Sequence, residues 1–243
     1  MQIPRWILAL TVAVTACSPG VAETAANPVA GTSLPVASVS ASEDAILRGG
    51  NARWSQVAAK KISLNRTPPL FDTDEPATLE IPTADVRLLR AGGKLYVQLS
   101  WDDATRDTAT LPTVPGTPPE QRFRKVPTEA DDRFFDAAAV MVPVHPGSPV
   151  NPSLQMGDPG HPVHIYYWNS ARGAMLMEAA GRATTRRTGQ SFPVDAAYQN
   201  RQWVVTFEMA DQPAGTPLAF AIWNGSQQDR DGRKYFSVWY TVE

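Results

Sequence analysis

Over most of the chain apolar and polar side chains alternate with a period of two, the pattern of strands that bury one face. The clearest run is 94–101, where Leu95, Val97, Leu99 and Trp101 fall on one side and Tyr96, Gln98 and Ser100 on the other. Residues 85–90 read as the strand before it. Between the two, Gly92-Gly93 can take up the positive φ angles of a tight hairpin. Further strands are expected at 77–81, 137–144, 163–168, 174–178, 202–209, 218–223 and 235–242. Helical periodicity is nearly absent, and only 43–60 has room for a short helix or two. Eight or nine short strands separated by turn residues argue for an all-β fold: a two-sheet antiparallel β-sandwich with short helices and long loops.

The N-terminus follows a different pattern. Residues 6–16 form an apolar run behind one basic residue, Arg5, the layout of a secretory leader. Eleven residues are too few to span a bilayer as a helix. Val14-Thr15-Ala16-Cys17 is similar to a bacterial lipobox, in which the cysteine is lipidated and becomes the new N-terminus. The plainer alternative is an ordinary leader cut after Ala22. The lipobox reading divides the chain into a lipoprotein signal peptide at 1–16, a flexible tether at 17–42 rich in small residues, and one folded domain at 43–243. It also places the protein in the bacterial cell envelope, on the periplasmic side, attached to the membrane through Cys17.

Composition narrows the chemistry. The 22 prolines, 16 glycines and 7 tryptophans fit short strands joined by many turns, and 43% hydrophobic residues are enough for a real core. A net charge of -2 gives no electrostatic footprint for nucleic acid. Cys17 is the single cysteine, so the mature domain has no disulfide, no thiolate metal site and no covalent attachment for a c-type haem. There is no phosphate loop, no dinucleotide fingerprint, and no nucleophile with a convincing base.

Several blocks together carry a resemblance. Trp54 comes first, then Leu95-Tyr96-Val97-Gln98-Leu99-Ser100-Trp101-Asp102-Asp103 and Phe135-Asp136-Ala137-Ala138-Ala139-Val140. The more specific blocks follow: Gln155-Met156-Gly157-Asp158 with His161-Pro162-Val163, then Ala219-Phe220-Ala221-Ile222-Trp223-Asn224-Gly225, then Gly232-Arg233-Lys234-Tyr235-Phe236-Ser237-Val238-Trp239. Over roughly residues 50–243 the chain resembles the haem-binding domain of ethylbenzene dehydrogenase gamma subunits. The resemblance implies one non-covalent haem b with Met156 and Lys234 as its axial ligands. It also implies an electron-transfer subunit without a catalytic site of its own, working beside molybdenum-containing and iron-sulfur subunits or a periplasmic cytochrome. The implied chemistry is coherent: a thioether favours reduced iron, whereas an amine binds a metal only after losing its proton, which needs burial.

Other residues compete for these roles. His145, His161 and His164 are the usual metal-ligating type, and His161 or His164 is the reserve ligand should Lys234 fail. On a strand, however, a spacing of three sends His161 and His164 to opposite faces. Asp102, Asp103 and Asp107, and again Asp131, Asp132 and Asp136, are candidates for calcium or, more simply, for turn capping. Asp136 stands just before an apolar strand and is expected to anchor a buried hydrogen bond. Trp101, Trp168, Trp203, Trp223 and Trp239 suit a porphyrin, a core or a sugar ring, so a lipid-anchored carbohydrate-binding module without haem is the second reading.

Overall fold

The structure, a computed structural model, describes residues 32–39, 46–47, 53–68, 79–108 and 134–243. The expected leader, Cys17, Asp131 and Asp132 lie outside them. In chain order the strands are β1 (Ser33–Leu34), β2 (Val36–Ser38), β3 (Lys60–Ser63), β4 (Asn65–Arg66), β5 (Thr83–Ala91), β6 (Lys94–Asp102), β7 (Ala137–Pro143), β8 (Val163–Asn169), β9 (Gly173–Ala179), β10 (Arg186–Arg187), β11 (Val194–Gln199), β12 (Gln202–Ala210), β13 (Pro217–Trp223), β14 (Tyr235–Phe236) and β15 (Tyr240–Val242). The smaller sheet runs β11-β12-β6-β5-β2, with β3 also on β5. The larger runs β1-β15-β13-β7-β8-β9-β10, and β14 links β13 to β4. The fold is all-β as expected, and the hairpin turn at Gly92-Gly93 has φ of 56° and 74°.

Three differences from the expected layout have clear causes. Both sheets are mixed rather than purely antiparallel, because β1 pairs parallel to β15 and β2 parallel to β5. Those two strands belong to the segment expected as tether. Residues 33–38 instead run from the edge of one sheet to the edge of the other, and Leu34 is fully buried. Unpaired amides on a strand edge will recruit even a polar, small-residue segment, provided that one large side chain can enter the core. Lastly, 79–81 is not a strand. The Glu80 amide donates to the Tyr235 hydroxyl (3.0 Å) rather than to a neighbouring strand.

Most of the core lies between the sheets. Leu95, Val97, Leu99 and Trp101 of β6 face Ala138, Val140 and Val142 of β7, with Phe207, Phe220 and Tyr235 filling between them. The predicted alternation of β6 holds, yet its other side is buried too. Tyr96 packs with Leu89, Ile46, Val57 and Trp54, whose indole donates to the Ile46 carbonyl (2.9 Å). Trp54–Gln56 is a single 3-10 turn, and Lys60–Ser63, at the end of the region with helical potential, is a strand. The remaining residues of β7, Ala137, Ala139 and Met141, point away from the main core into a separate apolar cluster on the outer side of the larger sheet.

The run 235–242 is interrupted. The backbone N–H of Ser237 donates to Phe220 O (2.9 Å), and its hydroxyl accepts from Phe220 N (2.9 Å). Two bonds to one residue leave β14 and β15 as separate pieces. In an unbroken strand Lys234 and Trp239, five apart, would lie on opposite faces. With the break, Tyr235 and Tyr240 both enter the main core, while Trp239 reaches the outer cluster.

One end of the sandwich is closed by carboxylates. Asp136, fully buried, accepts from Asp107 N (2.7 Å), Trp203 Nε1 (2.9 Å) and Gly225 N (3.0 Å), fulfilling the expected buried hydrogen bond. Gly225 lies so close to the Asp107 side chain (2.5 Å from an added Cβ) that no side chain fits there. Asp103 is almost as buried, and its Oδ2 has no hydrogen-bond partner among the described residues. Burial, reinforced by the neighbouring Asp136 charge, pushes the Asp103 carboxyl up to about 7, although the Thr105 amide opposes this.

Two expectations follow. Leu34→Ala should destabilise the fold by about 2–4 kcal/mol, measured as a lower urea midpoint at unchanged slope, if the 33–38 segment belongs to the core. An unchanged midpoint would return it to the tether. For Asp103 the folded carboxyl holds its proton up to about 7 while the unfolded one releases it near 3.8, so its contribution is full below pH 4 and is lost as pH rises toward 7. Asp103→Asn should therefore match the native thermal midpoint near pH 4 and exceed it increasingly up to pH 8. A gap independent of pH would refute the assignment.

Candidate functional site

The outer cluster of the larger sheet has an unusual floor. Ala137, Ala139, Ala219 and Ala221 occupy central positions of β7 and β13, where β-branched residues would normally cover the sheet. Methyl groups leave the surface low. Around it stand Tyr167, Trp223 and Trp239, and the Tyr167 and Trp223 rings meet edge to face at 5.3 Å. The result is a shallow apolar bed with flat aromatic walls.

Two side chains meet beside this bed. Lys234 Nζ lies 5.3 Å from the Trp223 ring centroid and 3.9 Å from Met156 Sδ. Burial pulls the Lys234 amine below the ordinary lysine range, against the nearby Asp231 carboxylate, which raises it, while Arg182 adds a further downward push. An ammonium over an indole face is an attractive pair, yet here it is largely removed from water.

Backbone contacts place both residues. Met156 has φ of 74°, the left-handed region that a side chain seldom adopts. It is held there by bonds on either side, Gly157 N to Ser153 O (2.8 Å) and Gly181 N to Met156 O (2.8 Å). Gly157, with φ of 75°, has no room for a Cβ, which would meet the His161 carbonyl at 2.8 Å. Asp158 ties the loop down by accepting from the amides of Ser153 (3.3 Å), Gly160 (3.0 Å) and His161 (3.0 Å). Trp239 Nε1 donates to Pro152 O (3.0 Å), fastening the same loop to the far strand. Strain of this kind persists where the surroundings over-determine it, and it gathers at functional positions.

Lys234 is anchored through Thr67. The Lys234 amide donates to Thr67 Oγ1 (2.9 Å), and the Thr67 amide (3.0 Å) and hydroxyl (3.1 Å) both donate to the Lys234 carbonyl. The preceding turn is set by Asp229, buried, which takes both guanidinium nitrogens of Arg66 and the Asn224 amide (3.1 Å). Neither Thr67 nor the Arg66–Asp229 pair stands out in the sequence. The short β4–β14 pairing that brings them together carries no periodic signal.

The histidines take supporting positions. His161 Nδ1 lies 2.9 Å from Asp158 Oδ1, inside the Met156 loop, and His164 faces Glu178 at 3.9 Å across β8 and β9. His145 is exposed. Among the described residues no three His, Cys, Asp or Glu side chains gather as a metal site, and the described acidic residues serve as caps and buried acceptors.

Residues 51–217 match the ethylbenzene dehydrogenase family model, a span that includes Met156 and ends before Lys234. A respiratory nitrate reductase heme subunit from Haloferax mediterranei is 31% identical over 96% of this chain and 79% of its own length. Dimethylsulfide dehydrogenase subunit gamma from Rhodovulum sulfidophilum is 28% identical, over 76% of this chain and 70% of its own. Chlorate reductase subunit gamma from Ideonella dechloratans is 27% identical, over 63% and 62% respectively.

Proposed function

We propose that this chain, which belongs to the ethylbenzene dehydrogenase family, is the haem-binding electron-transfer subunit of an oxidoreductase complex, with Met156 and Lys234 as axial ligands to one non-covalent b-type haem. The observation that carries the ligand assignment is the meeting of a desolvated amine and a thioether, 3.9 Å apart, above a bed of alanines walled by aromatic rings. The sulfur and the nitrogen lie close enough for both to hold one metal ion. The donor set also fits: both groups bind as neutral ligands, and the apolar bed suits a flat macrocycle.

A haem held there supplies a one-electron couple. The protein's residues set its conditions. Met156 offers a soft sulfur that favours the reduced metal, and its constrained backbone leaves the side chain little freedom to swing away. Burial lowers the cost of stripping the proton from Lys234, which is the form that can ligate. Were Met156 and Lys234 both to hold the metal, no position would be left for a substrate, and this chain would relay electrons while chemistry occurs elsewhere. The names of the relatives, two gamma subunits and a heme subunit of dehydrogenases and reductases, support a role beside partner subunits of an oxidoreductase, proposed to be molybdenum-containing and iron-sulfur subunits or a periplasmic cytochrome. A leader followed by Cys17 supports export to the periplasmic side and attachment through lipid. The glycan-binding alternative has less in its favour, because the aromatic walls stand beside a paired amine and thioether rather than forming an open platform.

Haem-supplied protein should show a low-spin, six-coordinate spectrum. Met156→Ala or Lys234→Ala should shift it to high-spin or lose haem, and an unchanged double-variant spectrum would overturn the ligand pair. Cys17→Ser should move the protein from the membrane to the soluble fraction with haem retained; continued membrane attachment would remove the lipid anchor from the account.

A further inference from the structure

Lys234 enters the site from an awkward place in the chain. It follows a turn closed by Arg233 N to Arg230 O (2.9 Å) and stands one residue before β14, a strand of two residues. A long, flexible stem separates its backbone from its amine, so the facing of the side chain has to be set at the backbone.

Thr67 stands opposite, one residue past β4. The register that pairs Arg66 with Tyr235 and Asn65 with Phe236 carries on to Thr67 with Lys234. In a regular antiparallel pair of this kind the two residues exchange both of their N–H···O bonds. Here one is made between backbones, from Thr67 N to Lys234 O (3.0 Å). The other amide, Lys234 N, donates to the Thr67 hydroxyl (2.9 Å), which itself donates to Lys234 O (3.1 Å). A side chain has taken the place of the Thr67 carbonyl. Pro68 comes next, with no N–H to extend the ladder, and its ring favours extended backbone at Thr67.

This last rung decides which way Lys234 faces. Side chains alternate along a paired strand, and Tyr235 enters the main core, so a Lys234 held in the ladder points to the opposite face, where its amine lies 5.3 Å from the Trp223 ring. With the rung open, Lys234 belongs to the turn and the alternation of β14 no longer governs it.

We propose that the Thr67 hydroxyl is the positioning group for Lys234: it keeps the amine on the haem iron, and its loss leaves that axial position open part of the time. This rests on the haem reading above and goes beyond it, since that reading names the ligands and this one names the group that holds one of them in place.

Carbon monoxide added to the reduced, haem-loaded protein tests this, because it binds the iron only after a side-chain ligand has left. Its apparent affinity rises in proportion to the open fraction. Thr67→Val keeps the shape of the side chain and the Thr67 N–H bond and removes the hydroxyl. It should retain haem and bind carbon monoxide about tenfold more tightly than native protein, as expected when one or two hydrogen bonds are lost. Thr67→Ser, which keeps the hydroxyl, should behave as native. Made on top of Lys234→Ala, Thr67→Val should change the affinity no further, because the hydroxyl acts through the amine.

Native affinity in Thr67→Val, a Thr67→Ser protein as open as Thr67→Val, or an equal effect of Thr67→Val with and without Lys234 overturns the proposal. So does a Thr67→Val protein that fails to fold by far-UV circular dichroism, or that loses haem which Lys234→Ala retains, since the hydroxyl would then be a prop of the sandwich. Failure of the native protein to take up haem, or a low-spin spectrum unchanged in Lys234→Ala, would instead overturn the haem reading itself.

Discussion

The carboxylate of Asp136 is the point on which the rest of the site's geometry depends. It opens β7 and accepts hydrogen bonds from Asp107, just after β6, from Trp203 on β12, and from Gly225 beyond β13. Both sheets and the turn leading toward Lys234 thus meet at one buried group. A buried acceptor with three partners is stable, whereas a missing donor would leave part of it unsatisfied in the interior. From this fixed end the chain runs through Asn224 and Asp229 to Arg66, and the β4–β14 pair then delivers Lys234 to the outer face. The Met156 side is organised separately, by loop bonds from Ser153, Asp158 and Gly181. Two scaffolds, joined by the Trp239–Pro152 bond, therefore bring the sulfur and the amine together.

The assignment of faces within β7 explains how one sheet serves two purposes. Ala138, Val140 and Val142 look into the sandwich and hold the sheets together, while Ala137, Ala139 and Met141 look outward. Strand alternation separates the work of stability from the work of binding residue by residue. No third layer of described residues covers this apolar outer face, which is where the proposed haem would lie. On the smaller sheet the corresponding outer face is covered by the chain itself, through Trp54, Ile46 and Val57 over Tyr96.

Much of this architecture was legible in the sequence. The alternating strands β5 to β9, β12 and β13 and the Gly92-Gly93 hairpin announce themselves, and Met156 and Lys234 come from their motif blocks to within contact distance. What escaped detection has physical causes. The β11–β12 hairpin turns on Asn200 and Arg201, at φ of 52° and 60°, and an arginine in that region is no turn signal. Residues 33–38 read as tether because their pairing depends on distant edges near 88–90 and 241–242, which local pattern does not reveal. The interruption at Ser237 follows from hydrogen bonds to Phe220, again a non-local partner, and Thr67 has meaning only once β4 lies beside β14.

That interruption also governs how the site can vary over evolutionary time. Strand geometry counts in twos, and the break at Ser237 supplies an odd step that sets Lys234 and Trp239 on the same side. A one-residue gain or loss between them would rotate the amine or the indole to the wrong side and draw Tyr235 or Tyr240 out of the main core with it. Site geometry and core packing are thereby coupled in this stretch, and an indel there disturbs both together. Spacing within this short stretch, more than the identity of its apolar residues, is the trait on which selection would act.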